Sequence, residues 1–121
     1  MNENTLVELT LFDPENTFIG LLEKQKVSYR KVPATHQFVV ATDETIEIVS
    51  SDNRKALIEN LSLVFMAWLE EKNGRKLQAL LVDGSTVTIE RNAIKTAYSI
   101  IQNSLRITVF DQEYNNRISN S

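Results

Sequence analysis

Residues 53–90 read NRKALIENLSLVFMAWLEEKNGRKLQALLVDGSTVTIE, and this one run carries a long helix, a stop and a strand pair. Within it Leu57, Ile58, Leu61, Val64, Phe65, Trp68 and Leu69 recur at the i, i+1, i+4, i+7, i+8 spacing of an amphipathic helix. The spacing predicts a helix from Asn53 to about Lys72, opened by Ser51 or Asp52. Asn73-Gly74 closes it, with glycine supplying a left-handed cap. Lys76–Val82 and Thr86–Glu90 then flank Asp83-Gly84, a two-residue loop that marks a hairpin when both positions take positive φ.

Toward the N-terminus, Leu6–Phe12 alternates, with Val7, Leu9 and Leu11 on one face and Glu8 and Thr10 on the other. That is the period of a half-buried strand. Asp13-Pro14-Glu15 reads as a helix start, with a capping carboxylate, a proline at the first helical position and an acid at the positive end of the dipole. The helix is expected from Glu15 to about Lys24, with Phe18, Leu21 and Leu22 on one face. Three short strands are expected at Val27–Val32, Gln37–Ala41 and Ile46–Val49, separated by turns at Pro33-Ala34-Thr35 and Asp43-Glu44. Beyond the hairpin, Ile94, Ala97, Tyr98 and Ile101 stripe a helix from about Asn92 to Asn103, and Leu105–Phe110 alternates as a closing strand.

The order is β-α-β-β-β-α-β-β-α-β. It predicts an α+β fold: a mostly antiparallel sheet with two or three helices packed on one side. Residues 1–111 form a single domain, followed by a polar tail over 112–121. A chain of 121 residues is long enough to bury a core without staples, and 42% apolar with 24% charged residues is ordinary globular composition. The net charge of −3 argues against a protein that coats nucleic acid. The absence of cysteine removes disulfides, thiolate metal sites and thiol nucleophiles. The polar start Met1-Asn2-Glu3-Asn4 lacks the pattern of a signal peptide, and Leu61–Leu69 falls far short of the roughly 20 residues a membrane span needs. A cytoplasmic protein is the expectation.

Chemistry-bearing patterns are absent. His36 stands alone and has no cysteine to share a zinc ion with. Ser85 follows Gly84, but Thr86 and a strand come next, where a nucleophile elbow needs a second glycine and a helix. Gly20, Gly74 and Gly84 are too far apart for a phosphate-cradling loop. The carboxylate pairs Asp43/Glu44 and Glu70/Glu71 are chain neighbours that diverge, whereas acid–base work needs convergent groups in a dry cleft. No catalytic residue, metal or cofactor is expected. Lys24, Lys26, Tyr29, Arg30 and Lys31 form a basic segment with two readings: Arg30 with Lys24 or Lys26 meets a phosphate while Tyr29 stacks on a base, or, as the negative net charge favours, this is a strand with Tyr29 half-buried and the lysines in water.

One irregularity stands out in the long helix. Leu63 and Met66 fall outside its core stripe, where a one-sided helix carries polar residues. Either the last helix or the C-terminal tail covers them, or they form a patch for another protein, a setting that suits methionine. Leu63, Met66, Glu70 and Glu71 are therefore the candidate partner-binding residues.

A helix ending in Trp68-Leu69, the charged stretch Glu70-Glu71-Lys72-Asn73-Gly74-Arg75, the hairpin LQALLVDGSTVTIE and a following helix resemble the effector-associated constant component domains. The resemblance covers about Asn53 to Gln102 and implies a small adaptor module of a bacterial conflict or defence system, acting beside separate effector proteins. The expected function is a non-catalytic protein-interaction module that binds a protein partner or itself. The alternative is an immunity or antitoxin-like inhibitor that meets a basic toxin through an acidic patch of Glu44, Glu47, Glu70 and Glu71.

Overall fold

A computed structural model describes residues 4–12, 16–32, 44–90 and 97–111. Its elements run β1 (Thr5–Phe12), α1 (Thr17–Lys24), β2 (Tyr29–Lys31), β3 (Glu44–Val49), α2 (Arg54–Glu71), β4 (Lys76–Leu81), β5 (Thr86–Ile89), α3 (Ala97–Gln102) and β6 (Ser104–Phe110). This is the α+β order the sequence predicts. The strand expected over residues 37–41, the turn at 33–35, the helix start at 13–15 and the tail lie outside the described residues.

The strands form one six-stranded sheet in the order β2-β3-β1-β6-β4-β5. Every pairing is antiparallel except that of β1 with β6, which run parallel at the centre. Alternation sorts the two faces. Val7, Leu9, Leu11, Ile46, Ile48, Leu77, Ala79, Ile107 and Val109 are buried on one of them. They share a single apolar cluster with Phe18 and Leu22 of α1, the α2 stripe and Ile101 of α3. All three helices therefore lie on that face. The other face carries Glu8, Thr10, Thr45, Glu47, Gln78, Thr88, Arg106 and Thr108, none of them buried.

The α2 stripe behaves as its spacing demands: Leu57, Ile58, Leu61, Val64, Phe65, Trp68 and Leu69 are all buried. Asn53 caps the helix, its side chain accepting from the Ala56 amide at 3.1 Å. Phe18 packs edge-on against Trp68 at 5.7 Å between centroids and lies 5.6 Å from Phe65, which fastens α1 to α2.

Four boundaries differ from the sequence reading, each for a local reason. Asn16 sits at φ 57, outside the right-handed helical region, so α1 begins after it, at Thr17. Glu44 is strand and not turn, because β1 runs on to Phe12 and leaves Leu11 as its antiparallel partner. The α2 helix stops at Glu71, Lys72 turns extended, and Gly74 takes its positive φ of 87 in the turn that follows. In the hairpin only Gly84 has positive φ, at 89; Asp83 does not. The Gly84 amide donates to the Leu81 carbonyl at 3.0 Å and the Leu81 amide to the Ser85 carbonyl at 2.9 Å. The loop is thus three residues, Val82-Asp83-Gly84, a turn followed by a left-handed glycine that makes a bulge.

Candidate functional site

Helix geometry places Glu59, Leu63, Met66 and Glu70 on one stripe of α2, at i, i+4, i+7 and i+11, directly away from the buried stripe. Leu63 is 47% exposed, Met66 is half-buried, and Glu59 and Glu70 are exposed. An apolar pair bracketed by carboxylates thus lies on the outermost surface of the longest helix. Glu71 does not join it: it is turned about 100° from Glu70 and reaches back to Arg75, 3.9 Å away.

The other acidic candidates lie elsewhere. Glu47 is on the helix-free face of the sheet and pairs with Arg30 at 3.3 Å, and Glu44 pairs with Lys31 at 3.5 Å. Glu44, Glu47, Glu70 and Glu71 accordingly form no single acidic patch. The same pairs occupy the basic segment. Arg30 also donates to Thr5 Oγ1 at 3.0 Å, and the Tyr29 hydroxyl donates to Glu23 at 3.1 Å. Partial burial, then this hydrogen bond and the nearby Glu23 and Glu44 charges, hold the Tyr29 phenol above its ordinary pKa.

Across the helix-free face the strand registers line up Arg30, Glu47, Glu8 and Arg106 in one row. The central carboxylates would repel as direct neighbours, and each is neutralised from outside: Arg106 lies 3.2 Å from Glu8, as Arg30 does near Glu47. Farther along, Phe12 and Phe110 stack with centroids 5.0 Å apart, and the Lys76 ammonium sits 5.6 Å from the Phe110 ring.

Sequence reasoning missed one cluster altogether. Arg75 and Asp111 are buried, with Arg75 Nε donating to Asp111 at 3.2 Å and Arg75 Nη1 to the Trp68 carbonyl at 3.0 Å. The guanidinium carbon also lies over the Trp68 ring, 3.7 Å from its centroid, and Lys72 reaches Asp111 at 3.5 Å. A planar cation can do all this at once: pair with a carboxylate, cap a helix carbonyl and stack on a ring. The cluster ties the end of α2 to the start of β4 and the end of β6. No periodicity announces it, since Arg75 follows a turn and Asp111 lies one residue past a strand. The only hint in the sequence is a charge on each side of two apolar runs.

A cleft of about 190 Å³ opens where α2 begins, lined by Lys26, Ser28, Ser50, Ser51, Asn53 and Asn60 among others. Among the described residues no group of His, Cys, Asp or Glu could hold a metal ion, and no helix is long and apolar enough to cross a membrane. His36 lies outside them. No family model, curated protein or solved structure matches the chain.

Proposed function

We propose that the chain is a non-catalytic protein-interaction module, a cytoplasmic adaptor or accessory component of a bacterial multi-gene conflict or defence system. The observation that carries the interaction is Leu63, 47% exposed on the outer stripe of α2 beside half-buried Met66. Full burial of a leucine is worth about 1.5–3 kcal/mol, and much of that is still to be gained here. Methionine adds a side chain that repacks readily against a partner. Glu59 and Glu70 define the rim, so the fitting partner offers an apolar pocket with basic residues around it. The adaptor role itself rests on the resemblance over residues 53–102.

The test compares wild type, Leu63→Glu and Leu63→Glu/Met66→Glu as tagged baits in lysate of the native host, at low and high salt. A stoichiometric partner that survives high salt and is lost with both variants, while their far-ultraviolet spectra stay native, is the expected result. A partner released by salt alone would favour the charge-driven inhibitor. Unfolding of Leu63→Glu would return that side chain to the core and remove the site.

A further inference from the structure

We draw no further inference here: the strongest candidate, the polar cleft of about 190 Å³ where α2 begins, is a helix N-terminus whose lining side chains Lys26, Ser28, Ser50, Ser51, Asn53 and Asn60 are all exposed or half-buried, so nothing in the structure points to a ligand that would fill it.

Discussion

Arg75 joins a carboxylate, a helix carbonyl and an aromatic ring, and it does so almost out of contact with water: its side chain is 2% exposed and that of Asp111 4%. Removing one member of a buried pair strands the other, which costs far more than the net worth of the pair. Arg75→Met is therefore expected to lower the unfolding free energy by about 3–5 kcal/mol, read from urea denaturation. Arg75→Lys should restore part of this, because an ammonium can reach Asp111 but cannot lie flat on Trp68 while bonding its carbonyl. A milder electrostatic device sits in the hairpin. The Ser85 hydroxyl and then the Ser85 amide donate to Asp83 and hold its carboxyl below the usual aspartate range. Because the folded value is depressed, the contribution is present above the unfolded aspartate pKa. It is lost as the pH falls through the lowered, folded one. Ser85→Ala should bring the Asp83 titration, followed by carboxyl carbon NMR, up toward the ordinary value, and an unmoved midpoint would contradict the assignment.

Among the elements, α1 shows how an ending is built from an unfavourable residue. The Lys26 amide bonds to the Glu23 carbonyl and the Val27 amide to the Leu22 carbonyl, the paired bonds of a Schellman ending, with Lys26 at φ 58 in the place glycine favours. Val27 and Leu22, which accompany those bonds, are both buried, so apolar packing holds the lysine in a backbone region that sterics disfavour. Lys26→Gly should relieve that strain and stabilise the protein by about 0.5–1 kcal/mol after the entropy glycine adds to the unfolded chain. A fall in the denaturation midpoint would mean the lysine side chain contributes more than its backbone costs. The helix α2 illustrates a different limit. Its buried stripe is legible residue by residue in the sequence, yet the outer positions Leu63 and Met66 are equally apolar. Periodicity identifies them as irregular without saying whether something covers them. Solvent exposure of Leu63 is a property of how the neighbouring elements are placed.

At the scale of the whole molecule, both sides of the sheet–helix boundary belong to one apolar cluster that runs from Leu6 to Val109. A single core predicts a single cooperative unfolding step. Fluorescence of Trp68, the only tryptophan, should change together with far-ultraviolet circular dichroism, and two separated transitions would show that the halves fold apart. The α+β class, the α2 stripe and the alternation of β1 are legible in the sequence, because these follow from periodicities of 3.6 and 2 within one segment. It also placed the hairpin, though not its three-residue loop, since the choice of loop turns on whether Asp83 joins Gly84 at positive φ. Of the candidate surface, it named Leu63, Met66, Glu70 and Glu71, and the structure turns Glu71 to a different side of α2 from the other three, 3.9 Å from Arg75. The parallel β1–β6 pair, the strand order, the Arg30–Glu47–Glu8–Arg106 row and the Arg75–Asp111 clamp were decided by the tertiary structure alone. Each joins residues far apart in the chain, and no local pattern records which distant strand will supply a neighbour's hydrogen bonds or which distant charge will follow another into the core.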